Sequence, residues 1–226
     1  MFEIKWQYIF DPALAIESFG YILKGLRYTL GISLASMILG TLLGFLLAIM
    51  RMSNSKILSI VARTYISFMR GIPTLVFLFI LYFGFPFIGI QFKAVNAAII
   101  GFSLSSTAYS AEIIRSSLHS VDNGQWEAAY ALGLKWPFIM RKVIIPQPMR
   151  IAVSPMSNVL LNLIKGTSLA AMITVPEIFQ QAKIIGGREF DYMTMYILAA
   201  LIYWAICSVF TIFQNYLEKK TSLYID

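Results

Sequence analysis

From Tyr28 to Met50 the chain runs 23 residues without a charge. A helix of that length rises enough to cross about 30 Å of hydrocarbon. Four comparable stretches follow. Gly71–Phe92 and Ala94–Ala111 carry no charge, Ile151–Pro176 carries only Lys165, and Tyr192–Leu217 is again charge-free. The pattern predicts an all-α integral membrane protein with about five transmembrane helices. Composition agrees, with 58% of residues hydrophobic and only 13% charged, which is outside the range of a soluble domain. Residues 1–27 mix polar and apolar side chains and read as an N-terminal interfacial segment, with Trp6, Tyr8 and Tyr21 as headgroup-level anchors. Residues 28–218 form the membrane domain, and 219–226 are left as a polar tail. The start, M-F-E-I-K-W-Q, has neither the basic n-region nor the cleavage site of a removable signal peptide.

The formal charge of +7 raises nucleic acid as a partner, but the basic residues flank the apolar stretches instead of forming one patch. They suit lipid headgroups and the setting of topology. Eleven of the eighteen Lys and Arg residues fall in the first connection, the third connection and the tail, against six in the N-terminus and the other two connections. The excess of positive charge on cytoplasmic loops then predicts an outside N-terminus and a cytoplasmic C-terminus.

Enzyme chemistry is not in evidence. No G-x-x-x-x-G-K-[ST] loop is present, so ATP would have to be bound by another chain. His119 stands alone, and no Cys–His cluster offers a metal site. A lone Cys207 gives no disulfide framework. Neither a catalytic nor a metal-ligating residue is predicted.

Several helical faces carry polar residues. Ser36, Gly40 and Gly44 repeat every four positions, a small-residue face that admits another helix closely and fits a pairing of two copies of this chain. Arg51–Arg70 is amphipathic, with Ser59, Arg63, Ser67 and Arg70 on one stripe. Those arginines either meet headgroups or place Arg70 at a gate kinked by Gly71 and Pro73. The third span holds Ser103, Ser105, Ser106, Thr107 and Ser110, which either pack and back-bond to their own helix or line a pathway. Glu112 and Arg115 are spaced to pair. In the fourth span Ser154, Asn158, Asn162 and Lys165 share a face, and polar groups within a membrane turn to protein or water. Gly166, Thr167 and Ser168 are placed to break that helix. Asn158, Asn162, Lys165, Ser168 and Arg70 are the candidate pathway or gate residues.

The one polar island is 122–146, D-N-G-Q-W-E-A-A-Y-A-L-G-L-K-W-P-F-I-M-R-K-V-I-I-P. Asp122 or Asn123 is placed to cap a short helix, Gly133 to end it in the left-handed conformation, Pro137 to open a second and Pro146 to stop it. Such an Ala-faced bend is either a plain connector or a docking element for a partner's groove.

Glu127-Ala128-Ala129, Gly133 and Val143-Ile144-Ile145-Pro146 resemble the EAA loop of ABC-transporter permeases. A-Y-S-A-E-I-I-R (108–115), G-Q-W-E-A-A (124–129), R-G-I-P-T (70–74) and K-G-T-S-L-A (165–170) are similar to the polar amino acid permeases. The resemblance covers roughly residues 20–218. It departs at Gly166, Phe77 and Pro148, where the family usually carries Asp, Gln and Ala. It implies the type I importer permease fold (MetI-like), with 122–146 as the cytoplasmic element that meets the ATP-binding subunit through Glu127, Ala128, Ala129, Gly133 and Pro146. It also implies a bacterial cytoplasmic-membrane complex of two permeases, an ATP-binding dimer that holds ATP and Mg, and an external solute-binding protein. V-A-R-T-Y-I-S-F (61–68), I-G-F-S-L-S-S-T-A-Y (100–109), L-I-Y-W (201–204) and Q-N-Y-L-E (214–218) look most like L-cystine permeases. Glutamine, histidine or another amino acid stands as the alternative within the family. An ATP-independent secondary transporter or channel is the alternative outside it, but no acidic residue lies mid-span to carry a proton.

Overall fold

The structure, a computed structural model, describes residues 9–222, so Trp6 and Tyr8 lie outside the described residues. The described chain is helical and contains no strand. It forms two compact units, and helices α2 (Leu26–Met52), α5 (Ala94–His119), α8 (Pro146–Gly166) and α10 (Tyr192–Ser222) each supply residues to both. Those with their continuations give four helices long and apolar enough to cross a membrane. A fifth crossing is reached if Lys56–Gly71 and Thr74–Ile88 are taken as one broken span.

The first unit takes residues 1–36, 73–102 and 161–210. Its helix α1 (Pro12–Leu23) starts at Asp11, whose carboxylate accepts from the Ala13 and Leu14 amides at 2.9 and 3.2 Å. An N-cap of this kind satisfies amides that the helix leaves unpaired. Ala15 and Ile22 of α1 are buried with Ile178, Ala182 and Ile185 of α9 (Ile178–Glu189) and with Met195 and Leu198 of α10. The segment expected to lie at the interface is thus packed into the unit along one face. Tyr21 remains exposed on the other.

The stretch 71–92 is not one continuous helix. Helix α4 (Thr74–Phe79) passes into a π-turn at Ile80–Gly84 and a 3-10 turn at Phe85–Ile88, and Gly89 ends it at φ 82°. Pro73 opens it, while Pro86 and the two flanking glycines loosen its far end. Fifteen residues at 1.5 Å each reach only about 22 Å, so this piece is short of a bilayer without α3 (Lys56–Gly71).

The second unit takes residues 37–72, 103–160 and 211–226. Here Gly40 and Gly44 of α2 lie against α5. A methyl group on Gly40 would overlap the Ser106 hydroxyl, and one on Gly44 would sit 2.7 Å from Ser110 Cβ. Ser103, Ser106, Thr107 and Ser110 are buried, and the Ser106 and Thr107 hydroxyls donate to the Ser103 carbonyl at 3.1 and 2.7 Å. Two expectations are decided by this contact. The serine-rich face of the third span is packed, with Ser106 and Thr107 back-bonded, and not open. The Gly40–Gly44 face is filled within the chain, so it is not the seam between two copies. Helix α10 also continues to Ser222, so the tail begins as helix.

Candidate coupling loop and transport cavity

Helix α6 (Asn123–Ala131) begins where the Asp122 carboxylate accepts from the Gly124 amide at 2.6 Å. It ends at Gly133, φ 69°, with two closing bonds: the Gly133 amide donates to the Tyr130 carbonyl at 2.9 Å, and the Leu134 amide to Ala129 at 3.2 Å. This paired closure is the Schellman motif, which needs a left-handed residue at its turn. Leu134 then packs over Ala129, Val121, Ile139 and Ile144 in a small core. The bend is fixed from both ends, by the cap and by this core.

The second short helix, α7 (Trp136–Ile139), does not stop at Pro146. It continues through a π-turn, Met140–Ile144, and Pro146 opens α8. The Ile145 amide reaches the Met140 carbonyl at 2.9 Å. A proline offers no amide and its ring crowds the carbonyl four residues earlier, so a wider turn lets the helix run on. Pro146 therefore joins this bend to the fourth span instead of ending it.

The outer surface of the bend is apolar. Leu132 is 77% exposed, and Tyr130, Trp136 and Phe138 are all more than half exposed beside exposed Glu127 and Ala128, while Ala129 turns inward. An apolar patch of this kind on a polar connector is a surface that a partner could cover.

Of the candidate pathway residues, Asn158, Asn162 and Lys165 are all exposed along α8. At Gly166 the α-helix tightens into a 3-10 helix, Thr167–Ile173, with the Ser168 hydroxyl donating to the Lys165 carbonyl at 2.8 Å. Lys165 and Ser168 line one cavity of about 260 Å³ together with Phe179, Tyr196, Ala199 and Tyr203. Behind it lies Glu177, fully buried, which accepts the Tyr203 hydroxyl and the amides of Phe179 and Gln180 at 2.9 and 2.7 Å. Burial pushes the Glu177 carboxyl up, and these three donors with Lys183 offset the rise only in part. The cavity offers one ammonium, hydroxyls and an aromatic wall to a small polar solute. Sequence reading missed Glu177 and Tyr203. The one signal was an acidic residue directly after Pro176, at a helix start.

Arg70 is placed elsewhere, in the second unit, with its guanidinium 5.5 Å from the Tyr109 ring. It lines a cleft of about 580 Å³ with Arg51, Arg63 and Glu112. Glu112 pairs with Arg115 at 3.3 Å, as the spacing predicts, and also with Arg51.

Residues 40–223 match the family described as the binding-protein-dependent transport system inner membrane component. The chain is 64% identical to the probable amino-acid ABC transporter permease protein YckA of Bacillus subtilis (strain 168), over 99% of both chains. It is 41% identical to the L-cystine transport system permease protein TcyB of the same organism, over 94% of this chain and 92% of that one. Among solved structures it superposes on an amino acid ABC transporter crystallised with histidines at a TM-score of 0.87 and 32% identity, covering 93% of this chain and 98% of that one. The chain belongs to the binding-protein-dependent transport system inner membrane components, multi-pass permease subunits of ABC transporters. Within them it stands on the branch that holds the amino-acid permeases.

Proposed function

We propose that this chain carries a polar amino acid, L-cystine, across the bacterial cytoplasmic membrane by alternating access. An external solute-binding protein delivers the substrate, and ATP and Mg act on a separate ATP-binding dimer. The observation that carries the reading is the bend at 122–146: an exposed Glu127–Ala128 surface and an apolar rim, held rigid by the Gly133 turn and its own small core. Closure of the ATP-binding pair would push this rigid element and bias the spans between inward and outward states. Glu127, Ala128, Ala129, Gly133 and Pro146 form it, with the N-terminus outside and the C-terminus and bend in the cytoplasm. Two copies of the chain make the pathway, joined by a face other than Gly40–Gly44.

Lys165 is the donor for the substrate carboxylate, within the cavity that Ser168 and Tyr203 share. Asn158 and Asn162 continue the same face of α8 and carry the solute onward, and Arg70 guards a gate. Cystine is favoured by the 41% identity to TcyB over 94% of the chain. The test is labelled uptake in a strain deleted for this gene and complemented with it. Cystine uptake should fall on deletion and return with the wild-type chain. Loss of glutamine or histidine uptake with cystine uptake intact would reject cystine and keep the permease assignment.

A further inference from the structure

The cleft that holds Arg70, the proposed gate residue, has a charge imbalance that a gate alone does not need. Arg51 ends α2, Arg63 and Arg70 lie on α3, and Glu112 and Arg115 lie on α5. Glu112 is already shared by Arg51 and Arg115. Among the described residues, neither Arg63 nor Arg70 has an ion pair. The guanidiniums of Arg115, Arg63 and Arg70 all stand close enough to repel that of Arg51. Arg63 and Arg70 are exposed at the cleft, so four cations gathered around one carboxylate leave two guanidiniums open to a further anion.

The exposed surface of α3 shows what the anion is attached to. Ile57 and Ile60 are each more than half exposed and stand on one i, i+3 row with Arg63, a short apolar stripe that leads into the arginine cleft. A free oxyanion has no use for that stripe. A zwitterionic amino acid would bring an ammonium, and Glu112, the one carboxylate in the cleft, is already engaged. An amphipathic helix with apolar residues leading into a basic pocket fits an anionic lipid.

We propose that the cleft between α2, α3 and α5 binds the phosphate of an anionic phospholipid, with Arg63 and Arg70 as its ligands and an acyl chain running along Ile60 and Ile57. The inference goes beyond the transport reading and needs only a membrane around the chain. The test uses the full chain purified in detergent, incubated with equal amounts of phosphatidylglycerol and phosphatidylcholine, and reads retained lipid by native mass spectrometry. Phosphatidylglycerol should be retained over phosphatidylcholine by roughly tenfold, and Arg63→Gln and Arg70→Gln should each reduce that preference by about fivefold. Lys93→Gln, away from α3 and outside the cleft, should leave it unchanged, and helix content by circular dichroism should be equal in all variants. Equal retention of the two lipids, or an equal loss with Lys93→Gln, overturns the site. Displacement of the lipid by inorganic phosphate or by cystine at similar concentration also overturns it, in favour of a free anion or of the substrate.

Discussion

Three single positions show how differently residues disclose themselves. Gly133 was legible in the sequence because a left-handed turn needs a residue without a Cβ, and the helix before it had run its apolar and small residues out. Its replacement Gly133→Val should cost roughly 1–2 kcal/mol at φ 69° and lower uptake while the protein still inserts, read by transport assay alongside membrane fractionation. Gly166 is the opposite case. Its backbone is ordinary helix at φ −65°, and an added Cβ would meet only the Phe102 ring at 3.6 Å. Gly166→Ala should therefore insert at wild-type level, with no shift in melting temperature beyond a few degrees. Glu177 was not legible, because its burial is made by Tyr203 on another helix, 26 residues away. Its carboxyl lies above the ordinary value of 4.5, so the folded state holds the proton more tightly than the unfolded one. Stability should be greatest below that ordinary value, fall as pH rises through it, and level off above the raised value. Glu177→Gln should abolish this pH-dependent difference in melting temperature.

Elements were legible where one segment settles its own fate. Four of the long apolar spans could be read because hydrocarbon acts locally. The fifth, 71–92, is too short to cross without α3, and the kink at Gly71 and Pro73 is one of two readings that the sequence leaves open. What the spans pack against could not be read. The four-residue spacing of Ser36, Gly40 and Gly44 says that some helix comes close, and α5 of the same chain is that helix. Its serines face those glycines, so both features belong to one contact. Gly44→Val would place carbon within 3 Å of Ser110 and should destabilise the second unit by about 1–3 kcal/mol, seen as a lower melting temperature in detergent. The run of helix through Pro146 was misread for a related reason. Proline forbids the standard bond, and the sequence does not show that a π-turn at Met140–Ile144 has already moved the bond elsewhere.

For the whole molecule, the family was carried by short motifs at fixed distances, Glu127-Ala128-Ala129 to Gly133 to Pro146. The transported solute left no comparable mark. Lys165 and the aromatic residues beside it would serve many amino acids, so cystine is proposed on the likeness to TcyB and not on geometry. The central claim is that the bend at 122–146 joins this chain to the subunit that hydrolyses ATP. Its most direct measurement is retention of the ATP-binding subunit on an affinity-tagged copy of this chain after co-expression and detergent extraction. The wild-type chain should hold that subunit, and Leu132→Asp combined with Glu127→Lys should reduce retention by roughly tenfold or more, as expected for central interface residues, while the permease itself is recovered at the same level. Equal retention by the wild type and the double variant, or a wild-type chain recovered without any ATP-binding subunit, would contradict it.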